Sequence, residues 1–405
     1  MDALIFLLDF PYINEFLADY KEYYKIVIVD RKRKIDMTTL HRYYDEIHFV
    51  SNIQCKNEMK KTLTRILKTK PIKAIYAPYE TVVEMAGYLR QIFNIPGMNY
   101  AESIAVRNKY IMKQTAKKHR IATAEITLAK HLTDVNLFIK KYGYPFILKP
   151  VNGAATRYTY KINALSDLLD LRVIKMMFRH AEFLIESFIE GKEYHCDAVV
   201  SNGTIVFSSV GENLHNNIDT VLYGKPKGSI AFPAYCDSMK TIQDIKRFNK
   251  HVIESFGIKN AVCHMEVFVN QKGIVYLGEI AVRIGGSPVI GACIKNTRGL
   301  DINKAFIDVA INNHSAYTGQ ERSVFTGYMA FPSKKGTIVH ISNENDFSHI
   351  SGVKELHFYN KPGDRIMAQT NTSVRTGYVI IEDADYDCLK QKLLAIFKNF
   401  NLTVQ

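Results

Sequence analysis

Ala261-Val262-Cys263-His264-Met265-Glu266-Val267-Phe268-Val269, a turn Asn270-Gln271-Lys272-Gly273, and Ile274-Val275-Tyr276-Leu277-Gly278-Glu279-Ile280-Ala281-Val282-Arg283 form one continuous stretch. Two apolar, β-branched runs around a polar turn closed by glycine predict a β-hairpin. Side chains alternate along a strand, so His264, Glu266 and Phe268 share one face, and Glu279, Ala281 and Arg283 share one face of the returning strand. Pairing Val269 with Ile274 sets Glu266 across from Leu277 and His264 across from Glu279. The two carboxylates are then diagonal neighbours, roughly 7–8 Å apart. Divalent cations that bridge phosphate oxygens take such carboxylates, and a guanidinium beside them can neutralise transferring charge. The solvated face of an ordinary hairpin would carry similar residues, so the triplet draws its meaning from what precedes it.

Upstream, Pro145-Phe146-Ile147-Leu148-Lys149-Pro150 is an apolar strand ending in a lysine, followed by the small-residue loop Asn152-Gly153-Ala154-Ala155-Thr156-Arg157. A lysine there can reach a phosphate as a point charge, and backbone amides near Gly153 can approach phosphate oxygens. Taken alone, this is equally a turn with an exposed lysine. Glu186-Ser187-Phe188-Ile189-Glu190-Gly191-Lys192-Glu193 passes from a strand end through an acidic bend into a second strand. Such a bend can offer backbone groups to a purine edge and a carboxylate to ribose hydroxyls, although a plain inter-strand loop has the same composition.

The organisation around these segments changes along the chain. Ala3–Leu8, 25–30, Glu46–Val50 and 72–77 read as strands alternating with amphipathic helices, one of which places Met59, Leu63, Ile66 and Leu67 on a single face. This predicts a small parallel α/β domain over 1–104. No GxGxxG marks it as a dinucleotide site. A helix carries Asn108, Lys109, Met112 and Ala116, and Thr133 is the expected cap of a second helix that stops at Gly143. From Pro145 onward, strands at 158–162, 193–200 and 204–210 joined by glycine turns predict antiparallel sheet, hence α+β architecture. Boundaries are expected at 105–190 for a central subdomain and 191–405 for a C-terminal lobe. That lobe holds helix 240–256, the hairpin, further strands from about 324 and a final helix over 384–397.

Composition sets outer bounds. The 405 residues exceed one ordinary domain. The 53 Lys and Arg against 40 Asp and Glu favour an anionic partner, although Lys-rich solvated helices such as 56–70 account for much of the excess. Six scattered cysteines include no CxxC pair and read as reduced, packed residues. No signal peptide or membrane anchor is expected, which suggests a cytoplasmic protein. No aromatic–basic motif points to nucleic acid.

Taken in order, the Asn108-Lys109 helix, the ILKP strand with its small loop, the ESFIEGKE bend, His264-Met265-Glu266 and GEIAVRIGG resemble the ATP-grasp superfamily over nearly the whole chain. The resemblance implies an N-terminal pre-ATP-grasp domain, a central subdomain and a C-terminal ATP-grasp lobe. It also implies roles. Lys109 and Lys149 bind ATP phosphates, with Gly153 and Thr156 in the small loop and Lys227, from an exposed-looking segment 223–228, as a further phosphate ligand. Glu186 with the Phe188 and Ile189 backbone meets adenine, and Glu193 holds the ribose. Glu266 and Glu279 bind two Mg2+ ions, for which Mn2+ can substitute, while Arg283 steadies the phosphate and the acyl intermediate. Many relatives have Asn where this chain has Ala281. In that respect, and in its His-x-Glu pattern, the chain is similar to the L-amino-acid ligase branch, which brings His264 and Glu80 forward as substrate contacts.

The implied reaction activates a carboxylate with ATP as an acyl phosphate, releases ADP, and couples the acyl group to an amine. Segment 213–227 has the composition of a lid that excludes water. The rival acceptor is the thiol of an acidic acyl carrier protein, consistent with the basic surplus. A rival of another class is a nucleotide-binding module without turnover. Small-molecule carboxylate and amine substrates are the expected partners, and a homodimer is compatible with the sequence.

Overall fold

The computed structural model describes residues 1–8, 15–31, 37–179, 182–286, 288–312 and 321–405. Four strands open the chain: β1 Ala3–Leu8, β2 Tyr24–Asp30, β3 Glu46–Val50 and β4 Ile72–Tyr76. They form a parallel sheet in the order β3-β2-β1-β4. Alternation buries both faces of β1. Ala3, Ile5 and Leu7 pack with Met59, Leu63 and Ile66 of the helix Lys56–Leu67 and with Met85 and Leu89 of Val83–Phe93. Leu4, Phe6 and Leu8 join Phe306 and Ile307 of the helix Ile302–Ala310. A sheet covered on both sides is what an all-parallel arrangement needs.

A second sheet contains β5 Ile126–Ala129, β6 Phe146–Pro150, β7 Tyr160–Ile162 and β8 Phe183–Ser187, antiparallel in the order β5-β8-β6-β7. Phe146 and Leu148 point into its core with Val135 and Phe138 of the helix Leu132–Tyr142. Thr133 is not the cap of that helix. His131 occupies the N-cap position, and the Asp134 carboxylate accepts from the amides of Lys130 and His131 at 2.9 and 3.1 Å.

The third sheet is the largest. It uses β9 Lys192–Ser201, β10 Thr204–Asn213, β11 Lys227–Ala231, β12 Ala261–Val269, β13 Val275–Ala281 and β14 Phe325–Phe331. Of the later strands, β15 Gly336–Ile341, β16 Val353–Phe358, β17 Arg365–Ile366, β18 Gly377–Asp383 and β19 Leu402–Val404, it takes β16 and β18. Its order is β13-β12-β9-β10-β11-β14-β18-β16, and β15, β17 and β19 make a separate small sheet. Three of the strands beyond 324, β14, β16 and β18, therefore extend the sheet that holds the hairpin. One face is apolar, where Cys196, Ala198, Val210, Ile230 and Met329 pack on Ile245 and Val252 of the helix Lys240–Ser255 and Leu389 and Leu393 of Tyr386–Asn399. The other face carries the polar residues described next.

The mixed α/β architecture, with a parallel N-terminal sheet, agrees with the expectation. The described cysteines are all free, and four of them are buried. Among the described residues, no helix is long and apolar enough to cross a membrane.

Candidate active site

The hairpin pairs differently from the expected register. Val269 lies opposite Val275, Val267 opposite Leu277, and Glu266 directly opposite Glu279, with a register shift between Glu266 and Val267. His264 faces Ala281, not Glu279. The extra residue is Gly278, against the Glu266 carbonyl: a Cβ there would sit 2.9 Å from that oxygen. This bulge turns a diagonal pair into a facing one. Two carboxylates opposed on one face repel each other unless cations sit between or beside them. Lys109 Nζ approaches Glu279 Oε1 at 3.0 Å, and His264 Nε2 lies 3.7 Å from Glu266 Oε1.

Lys109 owes its place to Asn108. That side chain accepts from the amides of Tyr110 and Ile111 at 3.0 and 3.1 Å, capping the helix Lys109–Lys118 after the preceding helix Tyr100–Arg107 has ended. The Lys109 ammonium also donates to the Gly153 carbonyl at 2.7 Å, tying the small loop to the hairpin. The loop makes its left-handed turns at Ala155, Thr156 and Tyr158, with φ of 54°, 57° and 56°, without glycine at those positions. The Thr372 amide holds the Ala155 carbonyl at 3.0 Å.

On β6, Phe146 and Leu148 are buried in the core, and Ile147 and Lys149 take the cavity side. Lys149 Nζ meets Glu186 Oε2 at 2.7 Å, and Lys113 Nζ lies 3.8 Å from Glu186 Oε1. Burial opposes the charge on Glu186, yet Lys113 and Lys149 outweigh it and lower its pKa. Burial is the stronger influence on Lys113 and pushes it down to about 8. Phe188 and Ile189 line the same cavity, with Lys161 Nζ 3.8 Å from the Phe188 ring centre.

Glu193 is buried and accepts from the Asn217 amide at 2.6 Å and from the Asn217 side chain. Burial, reinforced by the nearby Glu266 charge, raises its pKa to about 8. Glu266 moves the other way. Burial opposes its charge, but His264, Lys227 and Arg283 outweigh it and bring it to about 2. Lys227 is not in a loop: it begins β11 and donates to the Asn217 side chain. Segment 213–227 likewise is not plain coil, since it contains the short helix Asn217–Leu222 that presents Asn217.

Glu80 lies four residues past the end of β4 and is buried between two guanidiniums. Arg283 Nε and an Arg107 terminal nitrogen each lie 2.5 Å from one of its oxygens. Every candidate residue from Glu80 to Arg283 named in the sequence lines one cavity of about 1570 Å³. Ten Lys and Arg against six Glu line it, so its field favours a polyanion. Sequence reasoning missed Arg107, Lys113, His195, Asp197 and Asn217. Lys113 stood four residues after Lys109 on one helix face, and His195 and Asp197 alternate with Glu193 on one strand, so periodicity alone could have found these three.

With this geometry in view, similarity to known proteins is specific. Residues 142–290 match an ATP-grasp domain, and residues 328–405 match L-amino acid ligase C-terminal domain 2. The chain is 24% identical to the L-arginine-specific L-amino acid ligase of Bacillus subtilis, covering 87% of this chain and 85% of that one. The chain carries an ATP-grasp domain and an L-amino acid ligase C-terminal domain. This ATP-grasp ligase is also 25% identical to dapdiamide A synthase of Enterobacter agglomerans, over 83% of its own length and 80% of that protein. Its fold matches the crystal structure of L-amino acid ligase from Bacillus licheniformis with a TM-score of 0.80 at 17% identity, covering 100% of this chain and 99% of that one. It is an ATP-dependent, ADP-forming enzyme that joins a carboxylate to an amine.

Proposed function

We propose that this ligase joins two amino acids, activating the carboxylate of one as an acyl phosphate. A carboxylate oxygen attacks the γ-phosphorus of ATP, the bond to the β,γ-bridging oxygen breaks, and ADP leaves. The amine nitrogen of the second substrate then attacks the acyl carbon, the carbon–oxygen bond to phosphate breaks, and the amine loses a proton. The observation that carries this reading is the facing pair Glu266 and Glu279, with Lys109 on one side and Arg283 lining the same cavity.

Two facing carboxylates next to phosphate-reaching lysines form an oxygen donor set that fits magnesium. Glu266 and Glu279 would hold it, and the ion would neutralise charge on the transferring phosphate. The protein's own share is positioning and electrostatics. Lys109, Lys149 and Lys227 converge on the phosphates. Glu193 and Asn217 orient the ribose, and Phe188 and Ile189 present adenine contacts. In the absence of nucleotide, Glu186 holds Lys149 and Lys113 in place. Glu80 fixes Arg283, which would face the acyl phosphate, and with His264 borders the amino-acid end. A cavity of about 1570 Å³ exceeds the usual size of a single-ligand pocket, which supports simultaneous occupancy by nucleotide and amino acids.

Phosphate release from ATP, measured with single amino acids and then with pairs, tests the reading. Release that requires a pair and yields a dipeptide supports it. Release only with a carrier protein, whose acidity would suit the net charge of +13, would favour the thiol acceptor instead.

A further inference from the structure

The sheet face that carries Glu266 also carries a hydrogen-bonded chain that nucleotide binding does not use. Ser229 on β11, His195 and Asp197 on β9 and His264 on β12 are 2%, 4%, 1% and 5% exposed. The register brings them together, because β12 lays His264 opposite Asp197 and Glu266 opposite His195. Ser229 Oγ lies 3.1 Å from His195 Nε2, and His195 Nδ1 lies 2.6 Å from Asp197 Oδ2. Asp197 Oδ1 accepts from His264 Nδ1 at 2.8 Å, and the far nitrogen of that ring faces Glu266 at 3.7 Å. Two glycines leave room for the rings: a Cβ on Gly211 would collide with His195, and one on Gly285 with His264.

His195, Asp197 and His264 could also hold a metal. The distances argue otherwise, because each Nδ1 sits at hydrogen-bond length from a different oxygen of Asp197. Asp197 therefore spends both oxygens on orienting two imidazoles, one of which abuts the metal-site carboxylate.

We propose that Asp197 is a positioning residue that, through His264, fixes the orientation of Glu266 for the metal, with Ser229 and His195 bracing it from the other side. The inference rests on the reading that Glu266 holds the divalent cation. Buried networks with every member satisfied are rigid, and partners that hydrogen-bond around a metal's ligands tune its affinity. Asp197→Asn breaks the chain without changing its volume. An amide offers an acceptor on one side only, so one of the two rings loses its partner and turns or shifts its proton.

The test titrates Mn2+ into the full-length protein saturated with ADP, following loss of the free-ion electron paramagnetic resonance signal. Asp197→Asn is expected to weaken Mn2+ binding about 10- to 100-fold while leaving ADP affinity without metal unchanged. Ser229→Ala, which keeps every ring and carboxylate, is expected to weaken it by a smaller factor in the same direction. Glu266→Gln separates the two levels. Wild-type Mn2+ binding in that variant overturns the metal reading itself. Weakened binding in Glu266→Gln with wild-type binding in both Asp197→Asn and Ser229→Ala overturns the positioning role. Should Asp197→Asn lose its near-ultraviolet dichroism, Ser229→Ala decides alone: wild-type Mn2+ binding overturns the role, and weakened binding supports it.

Discussion

Glu80 shows how a single side chain ties stability to the site. Burial opposes its charge, but Arg283 and then Arg107 outweigh it, and its pKa falls to about 2 from the ordinary 4.5. A depressed carboxylate stabilises the fold above its unfolded pKa and loses that contribution as pH falls toward the folded value. Urea unfolding followed from pH 6 down to pH 2.5 should therefore show stability dropping below about pH 4.5, with Glu80 contributing on the order of 3 kcal/mol. In Glu80→Gln that contribution is absent at neutral pH, because two partly buried guanidiniums are left without their carboxylate, and the acid-side slope is shallower, because no depressed carboxylate remains to protonate. An unchanged slope would show that the pair is not coupled to folding. Glu279→Gln is expected to cut ATP-dependent product formation at least about 100-fold, by analogy with losing a group aimed at developing charge. Retained turnover would remove Glu279 from the metal site. The charged candidates were legible because residue type and alternation place them on one face. Their partners were not, since Asn217 reaches Glu193 and Glu80 reaches Arg283 only through contacts distant in sequence.

At the scale of elements, the hairpin was legible and its register was not. Alternating apolar residues and a four-residue turn identify two strands, but a bulge leaves the composition of a strand unchanged, so Gly278 carries no signal until both strands are paired. That residue sets the facing carboxylates, and Gly278→Ala tests it. The added Cβ would meet the Glu266 carbonyl at 2.9 Å, forcing the strands to separate or slip. Denaturant midpoints should report a loss of about 1–3 kcal/mol, the range for overpacking, accompanied by a raised Mg2+ requirement for turnover. Stability lost without any change in metal requirement would show that the bulge serves packing alone. Lys227 illustrates a different limit. Gly224 and Gly228 made its segment look like loop, yet pairing with β14 draws Lys227 and Gly228 into β11. The misplaced Thr133 cap has a similar cause, since Asp134 reaches back to the amides of Lys130 and His131 just ahead of its helix and so fixes the helix start at His131.

Across the whole molecule, the cavity is assembled from all three large sheets: Glu80 follows the first, Lys149 and Glu186 lie on the second, and Glu266 and Glu279 on the third. A ligand spanning them should tighten the assembly. Saturation with ADP and Mg2+ at about 100 times Kd should raise unfolding free energy by about 2.7 kcal/mol. Amide exchange should slow over 152–159 and 213–227, and equal exchange with and without nucleotide would remove those segments from the binding site. The α/β class and the order of motifs could be read from the sequence because local periodicity encodes them. The merging of β14, β16 and β18 into the hairpin's sheet could not, since it depends on pairings between strands remote in the chain. The central claim is that the γ-phosphate passes to a substrate carboxylate before the amide forms. Supplying an amino acid labelled with 18O in its carboxylate, under conditions that release phosphate, and weighing the released phosphate tests it directly. One 18O atom in inorganic phosphate with ADP as the nucleotide product is the predicted result; unlabelled phosphate, or AMP with pyrophosphate, would contradict it.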